Sequence, residues 1–117
     1  MKVLVVDDEK GILQLYSMLF RKFSIEVIAF DNTKEAIKFL LRNEADVIVS
    51  DFNLPSCNGV DFFRKLKSDN IFNGAFILVT GADIEEEGLI RQGIAKVYSK
   101  PISYHELAQY VLSIGKN

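Results

Sequence analysis

VIVSDFNLP, residues 47–55, is the stretch that decides the fold. Its first three residues form a short β-branched run, which is typical of a strand buried on both faces of a parallel sheet. Pro55 and the pair Asn58-Gly59 predict a loop directly after it. Asp51 therefore lies where a buried strand ends. Ligands of open α/β sheets bind outside the carboxyl ends of the strands, so Asp51 is a candidate functional residue.

Size and composition indicate one globular domain over residues 1–117. Of the 117 residues 49% are hydrophobic, enough to form a core, and the net charge of −2 argues against direct binding of nucleic acid. No apolar run approaches the ~20 residues that span a bilayer, so we expect no membrane partner. A single cysteine, Cys57, excludes a disulfide within the chain. Together with the absence of a signal-peptide pattern, this predicts a cytoplasmic protein.

Apolar strand patterns alternate with amphipathic helix patterns five times along the chain. This alternation predicts an α/β fold in which a five-stranded parallel sheet is covered by helices on both faces. The helix that opens with a cap-like cluster at 31–33 is expected to bury Ala36, Ile37, Leu40 and Leu41. The predicted strands are 2–6, 24–30, 46–50, 75–79 and 95–99, and the predicted helices are 10–23, 31–42, 59–68, 84–92 and 103–114.

Polar and charged side chains follow four of the predicted strands. Asp7 and Asp8 follow the first strand, Asp51 the third, Thr80 the fourth and Lys100 the fifth. Because parallel strands share one carboxyl edge, we expect all five side chains to gather there. Two like charges ~4 Å apart repel by about 4 kcal/mol at an effective dielectric near 20, so a single lysine cannot neutralise three carboxylates.

The predicted cluster suits a magnesium ion and a phosphoryl group. Hard cations such as Mg²⁺ prefer oxygen ligands and keep several waters, which leaves room for a phosphoryl oxygen. A carboxylate beside the metal can act as the nucleophile and form an aspartyl-phosphate. Asp51, between the acid pair and Thr80, is the expected nucleophile. Lys100 and the Thr80 hydroxyl are expected to stabilise the phosphoryl oxygens.

In these residues the chain resembles the receiver domains of two-component response regulators. The resemblance is based on Asp7-Asp8-Glu9, on Asp51 followed by Pro55 and Gly59, on Thr80, and on Lys100-Pro101, and it covers the whole chain. It implies a flavodoxin-like, doubly wound (βα)5 fold with strand order 2-1-3-4-5.

The resemblance also implies roles for individual residues. Asp51 becomes the phosphoacceptor and, with Asp8, a side-chain ligand of Mg²⁺. Asp7 becomes a ligand through water and Asn53 a ligand through its main-chain carbonyl. Thr80 and Lys100 become phosphoryl contacts, with a cis bond before Pro101.

The same resemblance implies partners for the chain. The donor would be a phosphohistidine on a histidine kinase or a histidine phosphotransfer protein. The output would pass to a separate effector protein through the fourth helix, fifth strand and fifth helix. The chain would be a signalling phosphoacceptor rather than an enzyme, acting only on its own phosphoryl group.

Two features depart from the family pattern. Val97 occupies the position, three before the lysine, where the family usually has an aromatic switch residue. Tyr98 is one residue later, and strand alternation is expected to point it to the opposite face of the sheet. The segment from Thr80 to Lys100 is also slightly short, which predicts a trimmed fourth helix.

Three other functions remain as alternatives. A magnesium-dependent phosphatase with an aspartyl nucleophile usually has a spacer between its first two aspartates, and Asp7-Asp8 has none. A flavin carrier needs a phosphate-binding loop after the first strand, where Asp7-Asp8-Glu9 would repel the phosphate. A degenerate receiver would bind partners without phosphorylation, although this chain retains all the chemical residues.

Overall fold

A computed structural model describes residues 1–115 of the chain, as five strands and five helices in strict alternation. The boundaries agree with the predicted ones to within two residues. The strands are β1 Lys2–Val6, β2 Glu26–Phe30, β3 Val47–Asp51, β4 Ala75–Thr80 and β5 Lys96–Ser99. The helices are α1 Lys10–Arg21, α2 Thr33–Leu40, α3 Gly59–Ser68, α4 Glu86–Gln92 and α5 Tyr104–Gly115.

All five strands pair in parallel in the order β2-β1-β3-β4-β5, which confirms the predicted topology. The chain leaves β1 toward one edge of the sheet and returns to build the other half from β3. The switch point of the topology therefore lies between β1 and β3, where ligands of doubly wound sheets bind. Val6 pairs with Ser50 there, so Asp7, the residue after β1, and Asp51, the last residue of β3, lie at equivalent heights on neighbouring strands.

Alternate strand residues point to opposite faces of the sheet and form two separate cores. Leu4, Ile48 and Leu78 pack against helices α2, α3 and α4 on one face. Val5 and Val49 pack against α1 and α5 on the other face. Both faces of the sheet are thus covered, which explains why the central strands are almost uninterrupted apolar runs.

The connection between α1 and β2 differs from the prediction. The predicted helix reached residue 23 and the strand began at residue 24, whereas α1 ends at Arg21 and β2 begins at Glu26. Ser24 has a φ of 58°, a left-handed conformation that closes the helix. The Ile25 N–H then donates to the Phe20 carbonyl at 3.0 Å. The apolar pattern runs through this turn and does not reveal it.

Helix α2 is shorter than predicted, and one expected core residue is exposed. The Asn32 side chain caps the helix by accepting from the Glu35 N–H at 2.9 Å, as the polar cluster predicted. The helix ends at Leu40, and Leu41 is 65% exposed because it lies past the last turn. The prediction that Leu41 is buried was therefore wrong.

Three local features near the end of the chain agree with the predictions. Gly93 ends α4 in the left-handed conformation, with a φ of 118°. The Lys100–Pro101 bond is cis. The Ser103 hydroxyl accepts from the Glu106 N–H at 3.2 Å at the start of α5. Within residues 1–115 no helix is both long enough and apolar enough to cross a membrane.

Candidate functional site

Three carboxylates meet at the switch point of the sheet. Asp7, Asp8 and Asp51 each offer an oxygen, and these oxygens all lie within 4.8 Å of one another. Asp7 is 5% exposed and Asp51 6% exposed, whereas Asp8 is open to solvent. The predicted gathering of acids is therefore confirmed, and its open side is at Asp8.

Asp51 is the last residue of β3 and not the first residue of the following loop, as the prediction had it. It pairs with Val79 of β4, and the Phe52 N–H donates to the Val79 carbonyl at 2.8 Å. The ladder therefore holds the backbone on both sides of the Asp51 side chain. A side chain fixed in this way would need little reorganisation before it reacted.

Lys100 is the cation of the site. Its Nζ lies 2.7 Å from Asp51 Oδ1, and its side chain is 42% exposed. The distance makes this contact an ion pair. Asp51 Oδ1 is buried, and no donor forms a well-aligned hydrogen bond with it. Partial burial lowers the pKa of Lys100, but the contacts with Asp51 and Asp7 outweigh it, so the net pKa is raised and the ammonium is retained.

Thr80 ends β4 one residue beyond the partner of Asp51, and it is buried. Its carbonyl accepts from the Lys100 N–H at 2.8 Å, which ties the ends of β4 and β5 together. Its Oγ1 accepts from the Ala82 N–H at 2.9 Å. A hydroxyl that already accepts in this way keeps its own hydrogen free to donate to a third group.

Asn53 lies in the loop after β3, two residues beyond Asp51. It forms an isolated antiparallel bridge with Asn58, and the Gly59 N–H donates to the Phe52 carbonyl at 2.7 Å. These contacts fold the loop back on itself directly after the aspartate. Asn53 is exposed, and its main-chain carbonyl stays the candidate metal ligand that the family resemblance predicted.

Burial and the neighbouring charges oppose ionisation of Asp7. Burial raises its pKa, the Glu9 N–H that donates to Oδ1 at 2.9 Å lowers it, and the Asp51 charge raises it again. The net result is a pKa of about 6, against an ordinary value of 3.8. A metal ion would remove this conflict, and the buried Asp51 Oδ1 that lacks an aligned donor gives it a further ligand. The oxygen-only donor set therefore fits Mg²⁺.

Substituting Asp7 with Asn should stabilise the metal-free protein at pH 8. The pKa of Asp7 is higher in the folded state, so its contribution to stability is complete below pH 3.8 and is lost as the pH rises through about 6. That rise in pKa corresponds to at most about 3 kcal/mol. Urea unfolding without metal should show a gain of about 1–3 kcal/mol at pH 8 and a smaller one at pH 5. A gain that grows toward pH 5 would contradict this assignment.

Sequence reasoning missed two tyrosines beside the site. Tyr16 of α1 and Tyr104 of α5 pack edge to face with centroids 5.5 Å apart, and both line a cavity that also reaches Asp7 and Lys100. Tyr16 lies in the apolar stripe of α1 and is indistinguishable there from a core residue. The only signal is its phenol, because a buried tyrosine hydroxyl usually needs a partner.

The comparisons with known proteins converge on one family. A family model described as the response regulator receiver domain matches residues 3–112. The phosphate regulon transcriptional regulatory protein PhoB of Pseudomonas aeruginosa is 29% identical over 108 residues, which cover 90% of this chain and 47% of PhoB. The chemotaxis protein CheY-3 of Vibrio cholerae is 27% identical over 103 residues, which cover 83% of this chain and 75% of CheY-3.

Solved structures agree in fold. The receiver domain of the Francisella response regulator 1452 superimposes with a TM-score of 0.90 at 31% identity, covering 98% of this chain and 96% of that one. The first curated relatives are longer proteins, since the matched region covers 47%, 7% and 19% of their lengths. What the chain shares with them is thus one domain-sized region.

Proposed function

We propose, from the premise that this chain belongs to the family of response regulator receiver domains, that Asp51 is its phosphoacceptor. Receiver domains take phosphoryl groups from histidine kinases, act on effectors and bind Mg²⁺ in an acidic pocket. The observation that supports Asp51 most directly is its position. It is a buried carboxylate with Lys100 at 2.7 Å, and its oxygen lies within 4.8 Å of oxygens of Asp7 and Asp8.

In the proposed step one Asp51 carboxylate oxygen bonds to phosphorus while the bond from phosphorus to the donor nitrogen breaks. The electron pair of that bond stays on the donor imidazole. Lys100 and the free hydrogen of the Thr80 hydroxyl stabilise the charge on the transferred oxygens. Asp8, Asp51, the Asn53 carbonyl and, through water, Asp7 would hold Mg²⁺. The ion supplies charge neutralisation during the transfer.

The proposed donor is a phosphohistidine on a histidine kinase or a histidine phosphotransfer protein, and the proposed receiver is the whole chain, residues 1–117. A separate effector would read the phosphorylated form in the cytoplasm. A phosphoryl group adds about −1.5 to −2 charge, and a coupling of ~1–3 kcal/mol between site and surface is enough for a signal.

The proposed output surface is formed by α4, β5 and α5. Thr80 and Lys100 connect directly to these elements, so a change at the phosphoryl group acts on them first. Val97 packs against the α4 side of the sheet, whereas Tyr98 packs on the α5 side against Tyr110, with centroids 6.5 Å apart. Because position 97 holds a valine, the proposed switch does not use an aromatic residue that turns inward there.

The proposal is tested by incubating the purified chain with acetyl phosphate and Mg²⁺. We expect the intact mass to rise by one phosphate, and borohydride reduction followed by peptide mapping to place the acyl phosphate on residue 51. Chelation of the metal should suppress the adduct. An unchanged mass under conditions where Mg²⁺ binding is confirmed, or an adduct on another residue, would refute the assignment. Steady hydrolysis of a generic phosphate ester would favour the phosphatase alternative.

A further inference from the structure

The sequence contains two Asn-Gly pairs, and the structure places them in different surroundings. Asn58-Gly59 opens α3 close to Asp51, whereas Asn73-Gly74 lies between α3 and β4, at the opposite edge of the sheet. Asparagine is a chemically labile residue, and a glycine after it offers the least hindrance to attack by the next backbone nitrogen on the side-chain amide. Both pairs are therefore candidates for one reaction, and their contacts decide which of them reacts.

Both reacting groups are held in place at Asn58-Gly59. The Asn58 Oδ1 accepts from the Asp61 N–H at 2.8 Å, and the Gly59 N–H donates to the Phe52 carbonyl at 2.7 Å. Gly59 is also buried at the start of α3. The Gly59 nitrogen can reach the Asn58 side-chain carbon only after these hydrogen bonds break, so the fold protects this pair.

The corresponding groups are free at Asn73-Gly74. The N–H of Ile71 and the N–H of Ala75 donate to backbone carbonyls at 2.9 and 3.3 Å, which fixes the chain on either side of the pair. Within residues 1–115 the Gly74 N–H and the Asn73 side chain take part in no hydrogen bond, and both residues are exposed. The Gly74 nitrogen can therefore approach the Asn73 side chain without breaking a hydrogen bond first.

We propose that Asn73 is a site of spontaneous covalent modification, at which the folded chain converts asparagine to isoaspartate through a cyclic succinimide while Asn58 stays intact. The inference is independent of the proposed function, because it concerns the amino edge of the sheet and not the edge that holds Asp51. An exposed isoaspartyl group carries a free carboxylate. The product is thus a substrate for a protein carboxyl methyltransferase that recognises isoaspartate.

The reaction balances with water as its one co-reactant. The Gly74 nitrogen bonds to Cγ of Asn73, the bond from Cγ to Nδ2 breaks, and the side-chain nitrogen leaves as ammonia with the proton of the Gly74 N–H. Water then adds to one of the two carbonyl carbons of the succinimide, and the bond from that carbon to the Gly74 nitrogen breaks. Opening at Cγ gives aspartate, and opening at the main-chain carbon gives isoaspartate.

The product changes both the charge and the backbone at the start of β4. Asn73 shares a cavity of about 430 Å³ with Glu44 and Asp46, so a carboxylate at position 73 adds to the negative charge there. Isoaspartate also lengthens the backbone by one carbon shortly before Ala75, whose N–H donates to the Asp46 carbonyl where the β3–β4 pairing begins. We therefore expect conversion to lower the thermal midpoint of unfolding.

Prolonged incubation of the full chain in mildly alkaline buffer, followed by peptide mapping, tests this inference. We expect the peptide with Asn73 to change from amide to acid at least about tenfold faster than the peptide with Asn58, because two hydrogen bonds protect Asn58. Labelling by an isoaspartate-specific carboxyl methyltransferase should identify the isomer. In guanidinium chloride the two rates should become similar, since unfolding removes the protection at Asn58.

Two variants at position 73 serve as controls. Asn73→Gln should remove the methylation signal of the folded chain, because the longer side chain would have to close a larger ring. Asn73→Asp supplies the charge with a normal backbone, so its thermal midpoint should lie between those of fresh and converted wild type. Gly74→Ala is unsuitable, since an added Cβ would collide with the Asp46 carbonyl oxygen.

Equal rates at Asn58 and Asn73 in the folded chain would overturn the inference, because the hydrogen bonds at Asn58 would then give no protection. An Asn73 that stays intact in the folded chain while it reacts in guanidinium chloride would overturn it as well. A converted protein as stable as Asn73→Asp would overturn the expected effect of the longer backbone on β4.

Discussion

Replacing Asp51 with Asn should abolish the phosphate adduct formed with acetyl phosphate and Mg²⁺. The amide nitrogen and oxygen occupy the same space but supply no carboxylate nucleophile. The neighbouring acids cannot substitute for it. Asp8 is exposed, and the Asp7 carboxylate has its pKa raised to about 6 and already accepts from the Glu9 N–H. Intact-mass spectrometry after a fixed incubation is the measurement.

The loss should not be a consequence of unfolding. Removing one of three clustered carboxylates relieves like-charge repulsion, so the thermal midpoint without metal should stay the same or rise. Mg²⁺ should stabilise the variant less than the wild type, because one proposed carboxylate ligand is gone. Asp83→Asn, at an exposed aspartate in the loop before α4, should keep the full adduct. A normal adduct on Asp51→Asn would show that another residue is the acceptor.

The order of the strands and helices could be predicted, and so could the residues that meet at the carboxyl edge of the sheet. Both follow from repeating patterns in the sequence. Strand alternation and helical stripes specify which residues face the sheet, and parallel pairing then brings the strand ends together. For this reason the convergence of Asp7, Asp51 and Lys100 could be predicted from the sequence alone. The errors lie where the chain turns, at Ser24 and Leu41, since a left-handed residue or a helix end leaves the apolar pattern unchanged.

Features of the site that depend on the third dimension could not be predicted. The rise in the Asp7 pKa requires knowing how completely the side chain is buried. The cavity beside Tyr16 requires knowing that α5 begins over α1, which places Tyr104 against it. Gly59 illustrates the same limit: its position after Asn58 suggests a loop residue, whereas the structure shows that it is needed for close packing.

The second large effect is expected at Gly59, where the backbone of α3 passes directly behind Asp51, the proposed phosphoacceptor. A Cβ on Gly59 would lie 2.6 Å from the Asp51 carbonyl oxygen and 2.7 Å from Leu78 Cδ1, closer than real Cβ contacts come. Neither neighbour can easily yield, because Asp51 is held in the β3 ladder and Leu78 is fully buried. Gly59→Ala should therefore destabilise the protein by about 1–3 kcal/mol, as overpacking of a core does.

The same substitution should also slow phosphorylation, because relief of the clash must move the end of β3 that positions the Asp51 side chain. Gly11→Ala is the matched control. Gly11 lies in α1, and an added Cβ would meet nothing within 4 Å beyond the helix's own neighbouring backbone, so alanine there should stabilise by up to about 1 kcal/mol through helix propensity. We expect Gly59→Ala to lower the free energy of unfolding in urea and Gly11→Ala to raise it. Only Gly59→Ala should be labelled more slowly by acetyl phosphate. Equal stability changes in the two variants would mean that the contact behind Asp51 relaxes freely, and that the nucleophile is positioned by its own strand alone.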